Sequence, residues 1–230
     1  MKPYQQIPIL ECSEPLVPID LAMFAVESPH PYQKLGAPYG EESPYHLRQS
    51  VLNSLIAAQA HLKKHYPGWR IQIFDAYRPV AVQQFMVDYT FAQVVAANVT
   101  TQLTAAHTWE QVYQIWAVPS LDPRTPPPHS TGGAVDITIV DDTGKPVNMG
   151  SAIDELSPAS HPDYFTNSAD PVAQQYNFHR QLLWDVMRAS GFQRHPGEWW
   201  HFCLGDQMWA YLTNQADPTK SAVACYGRIA

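Results

Sequence analysis

Pro127-Pro128-His129-Ser130-Thr131-Gly132-Gly133-Ala134-Val135-Asp136-Ile137-Thr138-Ile139-Val140 changes character halfway along. Its first half is prolines, glycines and small polar residues, the chemistry of a loop. In its second half Val135, Ile137 and Ile139 fall on one face while Asp136 and Thr138 fall on the other, the two-residue period of a half-buried strand. Gly132 and Gly133 let the backbone turn tightly enough for His129 and Asp136 to aim at one point. Imidazole nitrogen and carboxylate oxygen together form a donor pair that zinc accepts. On spacing alone another reading stays open, in which Asp136 caps a turn and His129 is exposed.

Working outward, Asp141 to Gly144 is turn chemistry, and residues 145–149 are expected to pair back as a hairpin. Residues 150–169 read as a long loop of the kind that is often functional. Asp170-Pro171 caps and starts a helix to Ser190, with Gly191 as its stop. The aromatic run from Glu198 to Leu204 reads as a strand, followed by a short helix from about Asp206. Upstream, Leu47, Val51, Leu55, Ala58 and Leu62 make one stripe of a helix from about Tyr45 to His65, stopped by Pro67-Gly68. Residues 69–75 read as a strand ending at Asp75. A second helix follows Pro79 to about Asn98, and Thr108 with Gln111 offers a capping box for a third. The proline-rich first 44 residues are expected to wrap the surface as extended chain. Helices and antiparallel-looking strands mix without regular βαβ alternation, so the fold class is α+β: one domain over 1–230, a small antiparallel sheet flanked by helices.

Of the 230 residues 45% are hydrophobic, enough for one substantial core. Lysine and arginine number 14 against 21 acids, a formal net charge of -7. A phosphate-backbone binder shows a basic surplus or stripe, and neither is present, which argues against nucleic acid as a partner. No segment approaches the roughly 18 apolar residues of a membrane span, and the first twenty residues lack the apolar core of a signal peptide. A cytoplasmic protein without a membrane partner is expected. Cys12, Cys203 and Cys225 are odd in number and widely spaced, which argues against a disulfide framework or a cysteine zinc knuckle. Most of the ten histidines read as surface or packing residues, and His30, His107, His161 and His195 have no evident partner in the sequence.

Two further clusters carry chemistry. Glu198-Trp199-Trp200-His201 couples a carboxylate to an imidazole, the pairing in which zinc hydrolases combine a ligand with a base. An aromatic core strand with incidental polar residues is the alternative. Asp75-Ala76-Tyr77-Arg78-Pro79 ends a strand on an arginine that can reach an oxyanion or a carboxylate. Taken alone, a salt bridge to Asp75 accounts for it.

Together these motifs resemble the D-alanyl-D-alanine dipeptidase family of zinc peptidases, relatives of the DD-carboxypeptidases and the Hedgehog signalling domain. The family's S-x-H-x-x-G-x-A-x-D is similar to residues 127–136, its E-x-W-H to residues 198–201, and its D-G-Y-R-P to residues 75–79. Its M-G-T/S-x-F-D is similar to Met149-Gly150-Ser151-Ala152-Ile153-Asp154. The resemblance implies a Hedgehog/DD-peptidase-like fold and one zinc per chain, held by His129, Asp136 and His201. It implies Glu198 as base, Arg78 as the partner of the tetrahedral intermediate, and Asp154 as the anchor for a free substrate amine. The implied substrate is a small peptide, D-Ala-D-Ala first. The alternatives are a DD-carboxypeptidase or endopeptidase on longer peptidoglycan peptides, and a non-catalytic zinc-binding module. Pro127 stands where the family has serine, and the N-terminal third matches poorly.

Overall fold

The computed structural model describes residues 2–98 and 104–229. The N-terminal stretch is not uniformly extended. A 3-10 turn at Pro3–Gln6 precedes the short strands β1 (Leu16–Pro18) and β2 (Ala25–Val26), and proline at its first position starts helix α1 (Pro31–Lys34). Residues 46–48, expected to begin a helix, instead form β3 (His46–Arg48), which pairs antiparallel with β1. Helix α2 (Gln49–His65) then buries Val51, Leu55, Ala58 and Leu62 completely. Each such Leu or Val contributes about 1.5–3 kcal/mol of transfer free energy. The stripe read from the sequence is therefore the face that α2 lays on the sheet.

Strand β4 (Arg70–Asp75) leads to α3 (Val80–Ala97) and α4 (Ala105–Ile115). The cap of α4 is Thr104, whose side chain accepts from the His107 backbone, while Thr108 lies inside the helix and donates back to the Thr104 carbonyl. Strand β5 (Ala134–Val140) follows the proline-rich loop. The expected hairpin after it shrinks to a single bridge between Val140 and Pro146. Helix α5 (Pro171–Ala189) is capped by the Asp170 carboxylate. The aromatic run supplies only β7 (His201–Cys203), which pairs with β6 (Gln193–Arg194), and α6 (Gln207–Ala216) is capped by Asp206.

One five-stranded sheet runs in the order β2-β4-β5-β7-β6. It is antiparallel except at its edge, where Ala25 and Val26 of β2 run parallel to Gln72 and Ile73 of β4. Ile71, Ile73, Val135, Ile137 and Ile139 form the core with α2 and with Leu183 and Met187 of α5. Among the described residues no helix is long and apolar enough to cross a membrane.

Two details of register build the site. Asp136 and His201 are direct cross-strand partners in β5 and β7, and such partners hold their side chains about 5 Å apart. Between Ile73 and Asp75 the β4–β5 register shifts by one residue, so Ile73 faces Ile137 but Asp75 faces Asp136. A bulge of this kind re-aims the side chain beyond it. Asp75, with the parity of the core residues Ile71 and Ile73, is thereby brought opposite Asp136.

Candidate active site

His129 sits in a 3-10 turn over Pro128–Thr131, which Gly132 closes at φ 70°. Its Nδ1 donates to the Ala76 carbonyl at 2.7 Å. A carbonyl only accepts, so the proton is on Nδ1 and Nε2 presents a lone pair. That Nε2 lies 3.1 Å from His201 Nδ1 and 3.2 Å from Asp136 Oδ2, and His201 Nδ1 lies 2.9 Å from Asp136 Oδ1. One ligand atom from each of the three residues lies within 4.8 Å of the others, and all three residues are buried. Two imidazole nitrogens and a carboxylate facing one point out of water form a set of donors that could hold a cation. Nitrogen and carboxylate donors suit zinc, and the Nδ1 bond to Ala76 fixes the His129 ring as metal-binding histidines are usually fixed. Burial opposes ionisation of Asp136, but His129 and His201 overcome it and hold its pKa well below the usual carboxylate range.

Arg78 is buried and held by several partners. Nε bonds Asp75 at 2.8 Å, Nη1 bonds Gln83 at 2.8 Å, and Nη2 reaches Tyr32 Oη at 3.3 Å and Asp136 Oδ2 at 3.1 Å. The Tyr32 and Trp116 rings flank the guanidinium at 5.1 and 4.9 Å. The salt bridge to Asp75 therefore exists, and it turns the other edge of Arg78 to the metal-ligand cluster. Asp75 also accepts from Tyr39 Oη at 3.1 Å and lies 3.2 Å from His30 Nε2. Burial works against its charge, and Arg78 outweighs it, lowering the Asp75 pKa.

Asp154 adopts φ 63° and accepts from Tyr32 Oη at 2.7 Å. Enclosure, and then Asp136, push its carboxyl up to about 7 against the pull of Arg78. Glu198 is buried before β7, with Oε1 3.5 Å from His195 Nδ1. Burial first, then Asp136 and Asp154, hold Glu198 well above the carboxylate range. All six residues expected from the sequence line one cavity.

The same cavity is lined by residues that the sequence did not single out. His195 stacks edge-on against His201 at 5.7 Å, and burial keeps its pKa well below the usual histidine value. Lys2 and Tyr4 come from the N-terminal turn. Tyr32 and His30, which partner Asp154 and Asp75, come from around α1. A histidine followed by Pro-Tyr at residues 30–32 was the available signal for that segment, but nothing local connects it to residues 75 or 154.

The family described as D-ala-D-ala dipeptidase matches residues 25–220. A D-alanyl-D-alanine dipeptidase of Synechocystis sp. is 50% identical, over 100% of this chain and 97% of that protein. One from Enterococcus faecium is 26% identical over 71% of this chain and 73% of its own. Among solved structures, VanYB in complex with D-Alanine-D-Alanine has a TM-score of 0.46 and 18% identity, over 74% of this chain and 78% of that one.

Proposed function

Because the chain belongs to the D-Ala-D-Ala dipeptidase family, we propose that it hydrolyses D-Ala-D-Ala, with one zinc per chain held by His129, Asp136 and His201. The observation that carries this reading is the convergence of His129 Nε2, His201 Nδ1 and the Asp136 carboxylate in a cavity that also holds Glu198, Arg78 and Asp154. When bound, zinc supplies a Lewis acid that polarises the scissile carbonyl and makes water acidic enough to attack near neutral pH.

Asp154 pairs with the substrate ammonium, held in place by Tyr32 Oη. Arg78, clamped by Asp75 and Gln83, steadies the charge that develops on the carbonyl oxygen. Glu198 takes the proton of the attacking water and returns it to the leaving amine nitrogen. Burial raises its pKa above the ordinary carboxylate value, which makes it a stronger base. A structural zinc module needs neither a buried base nor an arginine at the metal-ligand cluster, which favours the enzyme over that alternative. A cytoplasmic setting is our reading, supported by the free thiols of Cys12, Cys203 and Cys225, which a reducing compartment preserves.

Glu198→Gln tests the division of roles. The variant should keep about one zinc per chain by elemental analysis and lose roughly 10²–10⁴-fold in turnover, the usual worth of a positioned general base. Loss of zinc with the substitution would make Glu198 a ligand, and undiminished turnover would remove it from the chemistry.

A further inference from the structure

Two cations line the active-site cavity, Arg78 and Lys2. Arg78 already has the carboxylates of Asp75 and Asp136 as counter-charges. Lys2 has no carboxylate within 4 Å among the described residues. Its amine is partly buried, and that burial lowers its pKa while Glu198 pulls the other way. A desolvated cation without a counter-charge is unfavourable, and an anion delivered by a ligand would relieve it.

Lys2 is pinned where it stands. Its backbone N–H donates to Gln5 Oε1 at 2.8 Å, and Gln207 Nε2 ties the same turn through the carbonyls of Gln5 at 3.3 Å and Ile7 at 2.7 Å. Tyr4 is buried in a cluster with Ala134, Cys203 and Met208. Further along, the Leu10 and Cys12 N–H groups bond the carbonyls of Ala224 and Cys225 at 2.8 and 3.0 Å. A segment held on both sides in this way forms a fixed wall of the cavity.

The cavity holds charges of both signs. Lys2 acts on Glu198 and His195. Asp154 is enclosed with Tyr32, Arg78, Asp136 and Asp75. An extended dipeptide spans roughly 7 Å and carries an ammonium at one end and a carboxylate at the other. With its ammonium at Asp154 and its carbonyl among the metal ligands and Arg78, its carboxylate is left to meet Lys2, the cation of the cavity without a counter-charge among the described residues. We propose that Lys2 Nζ binds the C-terminal carboxylate of the dipeptide substrate, making the N-terminal turn part of the specificity pocket. This rests on the dipeptidase reading of the site. Lys2 precedes the family match at residues 25–220, so it is a feature the family motifs do not carry.

The test compares wild type, Lys2→Met and Lys2→Arg, all zinc-loaded, on D-Ala-D-Ala and its C-terminal amide. Lys2→Met should raise KM for the acid by about tenfold or more, the worth of one charge-assisted hydrogen bond, a larger loss than it shows on the amide. On the amide, Lys2→Met should lose several-fold less than on the acid, and Lys2→Arg should restore most of the affinity for the acid. Thermal melting of each variant separates a folding defect from a binding one. Equal losses on acid and amide, or no loss on either, would overturn the Lys2 assignment while leaving the dipeptidase intact. If wild type cleaves neither compound, the dipeptidase reading falls and this proposal falls with it.

Discussion

Asp154 combines a left-handed backbone with a carboxyl raised to about 7. Its pKa is higher in the folded chain than the ordinary 3.8, so folding favours the protonated form. Its contribution is fully present below the unfolded value and is lost as pH rises through about 7. Asparagine tolerates the left-handed region and keeps an oxygen for Tyr32 to donate to. In metal-free protein, the gain in Tm of Asp154→Asn over wild type should therefore be larger at pH 8 than at pH 4.5; an equal gain at both would show that the carboxyl is not held neutral by the fold. At this scale the sequence was most legible where motifs are contiguous: His129 with Asp136, Glu198 with His201, Asp75 with Arg78. Lys2, Tyr32 and His195 were not, because each meets the site only through the tertiary fold. Asp75 was legible as a strand end, but its turn toward Asp136 depends on a bulge that no local pattern announces.

At the scale of elements, hydrophobic period identified α2, β4 and β5, while Pro79 marked the start of α3 and Asp170-Pro171 and Gly191 the ends of α5, all within a few residues. The departures have physical causes. Residues 46–48 leave the helix because β1, some thirty residues earlier, offers them a backbone partner. Strand β7 is short because the chain turns at Pro196-Gly197 and bends at Trp199-Trp200, which brings Glu198 into the cavity with His201 instead of setting it on the opposite strand face. The turn between His129 and β5 depends on Gly132, at φ 70°, where a Cβ would stand 2.6 Å from Leu16 Cδ1 and 3.3 Å from the Arg48 nitrogen. Gly132→Ala adds that collision to backbone strain and should cost about 1–3 kcal/mol in urea denaturation, with weaker zinc retention. Gly144→Ala, at φ 82° with nothing within 4 Å of its Cβ, carries the strain alone and should cost less. If the two cost the same, the close approach at Gly132 does not matter.

At the scale of the whole molecule, an α+β arrangement around a mainly antiparallel sheet followed from the order of periodic segments. The N-terminal third was legible only as proline-rich wrapping, since its pairings lie far away in sequence. In the fold it supplies the Lys2 wall, the Tyr32 support of Asp154 and the His30 contact to Asp75. The result is one cavity in which Asp154 and Glu198 share the lining with the His129, Asp136 and His201 cluster. Such a cavity should reject a blocked amine, because an acylated substrate forfeits the ion pair with Asp154 and must fit its acyl group where the ammonium would sit. The most direct measurement is kcat/KM of the zinc-loaded protein on D-Ala-D-Ala, on its N-acetyl derivative and on a pentapeptide ending in the same pair. The free dipeptide should be cleaved to D-alanine at least about 100-fold more efficiently than either of the others. Preference for the acetylated or the longer substrate would contradict the account and make this a carboxypeptidase pocket.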